Sequence, residues 1–349
     1  MYLPTTQANT TDYPADSAIA EHDWHILAGF WHPLAFVSEI GAEPLAARLL
    51  DTDLVIYKTR QDITVAKDQC PHRGAKLSLG WLDDDRANVV CPFHGHHYDH
   101  LGACTRIPSY TNPNQLIPTQ MRLTRYQTVQ RYGLLWVCLK DKPLRPLPEW
   151  PLLENHDASW LRIEIPKGLW QTSASRHCEN FNDIAHLSWV HMKTFGNRQR
   201  PQLDDYLLRR TDYGLHMELP YIEVERGFND DNIGEREVYY SHDLTYPFAT
   251  DLKVDYTEEM TSHFYDIAAP VSAVETAIYQ ISLTNIPGAT TEDYAQYQLV
   301  TNAEDIVVVE SQRPYPVPLN PAAEVSIPAD KFSIQYRRDL AQLFGLGGC

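Results

Sequence analysis

Two short arms of this 349-residue chain carry residues that bind metals: Cys70-Pro71-His72 and, eighteen residues further on, Cys91-Pro92-Phe93-His94. Each arm contributes one thiol and one imidazole, spaced C-x-H and C-x-x-H. Two cysteines and two histidines can make a tetrahedral zinc site. Zinc fingers, however, pair cysteine with cysteine and then histidine with histidine, whereas here each arm mixes the two. The alternative is a two-iron, two-sulfur centre in which thiolates hold one iron and imidazoles the other. Such ligation raises the reduction potential above that of an all-thiolate cluster. Gly74 and Gly95 follow the two histidines, and glycine lets a turn bring backbone N–H groups close to bridging sulfides.

A second set of ligating side chains lies in 177–191, His-Cys-Glu-Asn-Phe-Asn-Asp-Ile-Ala-His-Leu-Ser-Trp-Val-His. His186 and His191, joined by one carboxylate, would leave one side of an iron(II) open for dioxygen. A helix is expected over about 177–192, with Asp183 and His186 on one face because they are three apart. His186 and His191 are five apart, about 140° around an ideal helix. Both can reach one metal only if the helix bulges or breaks between them, and Gly196 is a plausible stop. A lone histidine here would as readily sit on a solvated face; the independent signal at 70–94 favours the metal. The third ligand comes from elsewhere, with Glu304 and Asp305 as candidates and Glu310 more than a turn beyond.

These residues need elements to hold them. A 43% hydrophobic chain of this length can fill two cores. Residues 1–21 are polar and turn-rich and read as a flexible or draped arm. Short β-type runs from Trp24 (25–37, 47–59, 62–70, 87–93 and 131–140) imply a small antiparallel β domain over 22–142, with both arms on hairpin tips. Asp83-Asp84-Asp85 would sit at an exposed tip between the arms. Pro143, Pro146, Pro148 and Pro151 make a stiff extended connector, 143–151. The remainder, 152–349, mixes helices (177–192, 291–311, 329–344) with alternating strands between about 215 and 285. The fold class is α+β.

No apolar run approaches the ~18 residues that cross a bilayer, and no secretory signal opens the chain. The net charge of −17 argues against nucleic acid and anionic membranes. It suits a basic redox partner, although acidic surfaces are common without one. The six cysteines lack a disulfide framework spacing, which points to a reducing cytoplasm.

The stretch CPHRGAKLSLG…CPFHG…YDHLGAC strongly resembles the Rieske domain of Rieske-type non-haem iron oxygenases, with Cys70, His72, Cys91 and His94 as [2Fe-2S] ligands. One departure is His96, where those proteins usually carry Trp. Glu179-Asn180-Phe181 and Asp183-x-x-His186-x4-His191 resemble the mononuclear-iron motif of the same family, and 302–312 resembles its late helix. The resemblance implies that Asp305 is the third iron ligand, and its place just before an apolar run, Ile306–Val309, expected to face inward agrees. It also implies that Asp183 bridges its own His186 and His94 of a neighbouring subunit in a ring-shaped homotrimer. The demethylating monooxygenase branch, particularly the methylxanthine N-demethylases, is most similar, from about residue 24 to 344. The implied catalytic domain is helix-grip-like.

The resemblance implies a terminal oxygenase that uses dioxygen to demethylate or hydroxylate a small, aromatic or heteroaromatic substrate. With no G-x-G-x-x-G after a strand, NAD(P)H would act only through a separate reductase, with or without a ferredoxin. Ring cis-dihydroxylation is the alternative within the class, and a pure electron-transfer protein the alternative outside it. Tyr246, Phe248, Phe264 and Tyr279 could stack on a planar ligand, and Asn285 and Asn302 could hydrogen-bond a heterocycle. A sheet core explains the aromatics equally well, and turns or caps the amides. His96, His97, His100 and Cys178 receive no role from the sequence.

Overall fold

The computed structural model describes residues 13–112, 114–203, 205–226, 232–320 and 322–348. The chain divides into two units, Met1–Pro146 and Leu147–Cys349, and the division falls within the proline-rich stretch.

The first unit contains helix α1 (Glu21–Leu27) and ten strands: β1 (His32–Phe36), β2 (Leu45–Leu49), β3 (Thr52–Lys58), β4 (Ile63–Lys67), β5 (Trp81–Leu82), β6 (Asn88–Val90), β7 (His97–Asp99), β8 (Cys104–Arg106), β9 (Gln127–Arg131) and β10 (Leu134–Cys138). They form three antiparallel sheets, ordered β1-β10-β9, β2-β3-β4 and β5-β6-β7-β8. Helix α1 takes the start of a run expected to be strand. Trp24 and Leu27, three apart, bury one helical face, so the strand begins only at His32. The arm is draped where it is described: Tyr13 packs edge-on against Trp24 at 5.9 Å and its hydroxyl donates to the Ile19 carbonyl. Residues 1–12 of that expected arm lie outside the described residues.

The run at 47–59 is a hairpin. Leu50 and Asp51 have φ of 49° and 59°, the left-handed pair of a tight two-residue turn. Asp83 closes the β5–β6 hairpin by accepting from the backbone N–H groups of Ala87 and Asn88, which leaves Asp84 and Asp85 exposed at the tip. Val55, Tyr57, Leu77, Val89, Tyr98 and Leu123 form a buried cluster with Cys70 and Cys91.

The second unit contains α2 (Pro151–Asn155), β11 (Leu161–Trp170), α3 (Ala174–Phe181), α4 (Leu187–Val190), β12 (Leu207–Arg210), β13 (Gly214–Arg226), β14 (Asn232–Thr245), β15 (Ala249–Asp255), β16 (Thr261–Pro270), β17 (Thr276–Thr284), α5 (Thr291–Val309) and α6 (Lys331–Phe344). Its seven strands make one antiparallel sheet, β11-β17-β16-β15-β14-β13-β12. The connector is not extended throughout: Pro151 starts α2, since a first helical position needs no N–H donor. Helices α3 and α5 contact the sheet at β16 and β11. No helix among the described residues is long and apolar enough to cross a membrane.

Candidate metal centres

The two cysteine–histidine arms fold as the same loop twice. In the first, Cys70 N donates to the Ala75 carbonyl and Gly74 N to the Cys70 carbonyl. In the second, Cys91 N donates to the His96 carbonyl and Gly95 N to the Cys91 carbonyl. Gly74 and Gly95 have φ of 77° and 67°, a left-handed conformation that favours glycine. Repetition brings like atoms together. The thiols of Cys70 and Cys91 face each other closely enough to interact, and burial pushes the Cys91 thiol up. His72 Nδ1 and His94 Nδ1 lie 3.2 Å apart on exposed rings.

The buried sulfur pair and the exposed nitrogen pair do not gather as one compact ligand group among the described residues, which suits a two-iron cluster with mixed ligation better than one tetrahedral ion. The Tyr98 hydroxyl lies 3.2 Å from Cys70 Sγ, and burial holds that phenol protonated, which leaves it a proton to share with a thiolate there. His96 is buried, its ring 4.8 Å from that of His72 and 5.7 Å from that of His94. It packs behind the ligand pair and leaves its own Nδ1 without a hydrogen-bond partner.

The second set converges from two places in the chain. The helix expected over 177–192 breaks earlier than its spacing suggests: α3 ends at Phe181, a turn follows, and the single-turn α4 has His186 as its N-cap and His191 as its C-cap. A helix ending at both histidines turns both rings to one side. Gly196 closes the turn by donating to the His191 carbonyl at 2.7 Å. A Cβ there would sit 2.5 Å from the Leu187 carbonyl oxygen, so the close approach requires glycine.

His186 Nε2 and His191 Nε2 are 3.2 Å apart, and Asp305 Oδ1 lies 3.4 and 3.5 Å from them. The ligand atoms of the three residues all fall within 4.8 Å of one another. Asp305 is presented by the inward stripe of α5, which buries Gln298, Thr301, Asp305 and Val309. Of the apolar run expected to face inward, Val309 is fully buried, but Val307 and Val308 are 74% and 43% exposed. Gln298, Thr301 and Asp305 fill the rest of the buried stripe.

Each histidine has a carboxylate behind it. Asp183 Oδ2 lies 3.4 Å from His186 Nδ1, and Glu304 Oε2 lies 3.5 Å from His191 Nδ1. Neither Nδ1 has a closer hydrogen-bond partner. Glu304 stands behind His191: its carboxylate accepts from Lys193 N at 2.6 Å and Thr194 Oγ1 at 2.8 Å, on the far side of His191 from Asp305. Glu310 is spent on Gln171 N, at 2.7 Å. Burial alone would depress His186, but the Asp183 and Asp305 carboxylates outweigh it and hold the imidazole up at about 10. Burial likewise opposes ionisation of Asp305, yet His186 holds it below the usual carboxylate range. Two imidazoles and three carboxylates gathered this way fit a cation. Glu304→Gln should keep the fold and weaken iron(II) binding about 10- to 100-fold, read by competition titration; unchanged affinity would mean that Glu304 does not orient His191.

A buried polar chain fixes α3 against α5. His177 Nε2 lies 2.8 Å from Asp266 Oδ1, Gln280 donates to Asp266 Oδ2 at 2.8 Å, and Asn302 donates to Gln280 Oε1 at 2.7 Å. Asn180 adds a direct link, donating to Asp305 Oδ1 at 3.1 Å. Asn302 therefore spends its amide on Gln280, and also accepts from Gln298. Asn285 is a turn residue, accepting from Thr261 N and donating to the Glu259 carbonyl. Both amides are thus engaged within the fold.

Tyr246 donates to buried Asp339 and packs on Phe344, which commits it to α6. Tyr279 alternates with Gln280 and so lies on the sheet face turned away from His177 and Asp266. Phe248 is buried beside the turn into β15. Of these aromatics, Phe264 keeps the expected setting, half-buried on the helix-covered face and stacked on Tyr294 at 6.5 Å. Sequence reasoning missed the supporting role of Glu304; its adjacency to Asp305 was the available signal.

Comparison with known proteins agrees with this geometry. Residues 30–129 match the Rieske [2Fe-2S] domain, and residues 170–345 match the vanillate O-demethylase oxygenase C-terminal domain. The chain is 31% identical to methylxanthine N1-demethylase NdmA of Pseudomonas putida, across 94% of this chain and 92% of that one. It is 26% identical to methylxanthine N3-demethylase NdmB of the same organism, across 89% and 88%. Among solved structures, Pseudomonas putida CBB5 NdmA with caffeine superposes with a TM-score of 0.79 at 29% identity, covering 92% of each chain. Domain order, paired loops and the His186–His191–Asp305 convergence all lead to one family: this chain is a Rieske-type non-haem iron oxygenase, an oxidoreductase that incorporates molecular oxygen.

Proposed function

We propose that the protein demethylates an N-methyl or O-methyl group on a small, flat heteroaromatic or aromatic substrate. Cys70, Cys91, His72 and His94 would hold the cluster, and His186, His191 and Asp305 the mononuclear iron. The observation that carries the reading is the buried cation-seeking triad in the same chain as the paired cysteine–histidine loops. Relatives that act on methylxanthines favour an N-methyl heterocycle.

When bound, the iron offers open positions to dioxygen and the cluster supplies single electrons. The rest falls to side chains. Glu304 and Asp183 fix the two imidazole rings, and Asn180 steadies the Asp305 carboxylate. In net terms one oxygen atom enters the methyl C–H bond, and the other leaves as water with two electrons and two protons. The resulting carbinol loses formaldehyde and frees the N–H or O–H.

Asp183 also suits the electron bridge. Its side chain is 32% exposed and lines an open cleft of about 440 Å³ with Arg176, Glu179, Asn180, Glu324 and Arg337. An exposed His94 ring and a solvent-facing Asp183 carboxylate are what a bridge between neighbouring subunits of a trimer requires. Val307, Val308 and Trp189 add exposed apolar surface of the kind subunit contacts cover. Electrons would come from NAD(P)H through a separate reductase. The described cysteines are all free, as a reducing cytoplasm would leave them.

A turnover screen with a generic reductase tests the reading, using methylated purines, methoxybenzoates and simple arenes. Oxygen uptake with formaldehyde release supports it; a diol retaining both oxygen atoms defeats it. His94→Cys should lower the cluster potential and slow electron entry; an unchanged potential would remove His94 from the ligand set.

A further inference from the structure

The sheet face under α3 and α5 has a gap in its cover. His242, Leu252, Phe264 and Ser282 form one cross-strand row on that face, from β14 to β17. Thr250, Val254, Ser262, Asp266, Ser282 and His242 surround the middle of the row and are all buried. Leu252 and Phe264, at its centre, are only half-buried. Solvent thus reaches two apolar residues in the interior of a helix-covered sheet, as it would in a cavity with an apolar floor.

His242 stands at the edge of this floor with one ring nitrogen unused. It is 2% exposed, and its Nε2 is buried without a hydrogen-bond partner. Its Nδ1 lies 3.2 Å from Asn182 Oδ1. The Asn182 amide has only one workable orientation, because its Nδ2 donates to the Cys178 carbonyl at 2.8 Å and to Thr250 Oγ1 at 3.0 Å. Oδ1 therefore faces His242 as an acceptor, and Nδ1 must carry the proton. Burial disfavours a second proton and pushes His242 down to about 3. A neutral imidazole protonated at Nδ1 presents a lone pair at Nε2. His186 is among the groups whose charge acts on His242, which places this histidine within electrostatic reach of a candidate iron ligand.

We propose that His242 selects the substrate: its Nε2 accepts a hydrogen bond from an N–H or O–H on a planar ring lying over Leu252 and Phe264. The inference rests on the demethylase reading and narrows it to uncharged substrates that carry a donor besides the methyl group to be lost. A buried acceptor left unpaired is costly, so a site built for a donor rejects the analogue that lacks one.

The test uses the metal-loaded full chain and two probe pairs. Theobromine has an N–H that caffeine lacks, and 4-methoxyphenol has an O–H that 1,4-dimethoxybenzene lacks. Calorimetric titration should show the donor-bearing member of at least one pair binding about tenfold tighter. His242→Phe should bring that ratio close to one, and His242→Gln, which restores an acceptor, should recover part of it. Equal binding within both pairs, or a ratio that survives His242→Phe, would overturn the proposal and leave His242 a structural histidine satisfied by water. Failure of all four probes to bind, while another methylated compound is demethylated, would also overturn it and leave the demethylase reading standing. Absence of demethylation across the whole screen would instead sink that reading.

Discussion

Asp183→Ala should leave both metal centres bound and cut coupled turnover at least about 100-fold, the upper end of what loss of an orienting partner costs. Two properties of Asp183 underlie the size of the effect. One oxygen accepts from Ala185 N at 2.9 Å, which fixes the carboxylate, and the other faces His186 Nδ1 at 3.4 Å. Alanine would free the His186 ring while removing the polar group exposed in the cleft. His186 Nε2 still faces His191 and Asp305, so iron should be retained. The distinguishing readout is single-turnover electron transfer: the reduced cluster should persist in the presence of substrate and oxygen. Asp183→Asn, which keeps the shape without the charge, should fall between. Substantial coupled activity in Asp183→Ala would remove Asp183 from the electron route.

Asp305→Ala should abolish oxygen consumption and lower bound iron from about three atoms per chain to about two, the cluster alone remaining. Asp305 is the one anionic member of the triad, and it lies on the buried stripe of α5 with Asn180 as its donor. Without it, two imidazoles would hold a dication in a buried site with no balancing ligand charge. The visible spectrum of the cluster should be unchanged, because its candidate ligands lie in the other unit. Glu304→Ala makes the comparison sharp, since Glu304 precedes Asp305 yet faces His191 from behind. It should weaken iron without eliminating it. If Glu304→Ala lost iron and Asp305→Ala kept it, the ligand assignment would be reversed.

Much of this site could be read from residue type and spacing. Cys70, His72, Cys91 and His94 were legible because their spacing is local and each arm closes through a glycine with positive φ. The mismatch between a five-residue step and a 3.6-residue turn calls for a bulge or break between His186 and His191. The break instead falls before His186, at 182–186, and the intact single turn of α4 joins the two histidines. What spacing could not reveal depends on tertiary partners. Asn285 and Asn302 look alike as candidate ligands for a heterocycle, but only the fold shows one closing a turn and the other paired with Gln280. Tyr279 and Phe264 differ by which sheet face they take, and strand parity has to be fixed by pairing before that choice is visible. The outward turn of Val307 and Val308 went against hydrophobicity because the inward stripe of α5 carries polar and ligating residues. His242 carried no local signal; its importance arises from the Asn182 amide opposite it.

The central claim is that one polypeptide houses a mixed-ligand iron–sulfur cluster and a separate single iron. Joint determination of iron and acid-labile sulfide, with the EPR spectrum of dithionite-reduced protein, tests it most directly. About three irons and two sulfides per chain, with the rhombic signal of an imidazole-ligated cluster, are expected from the paired loops and the triad. Zinc with no labile sulfide, or two irons per two sulfides in material that still turns over, would contradict it.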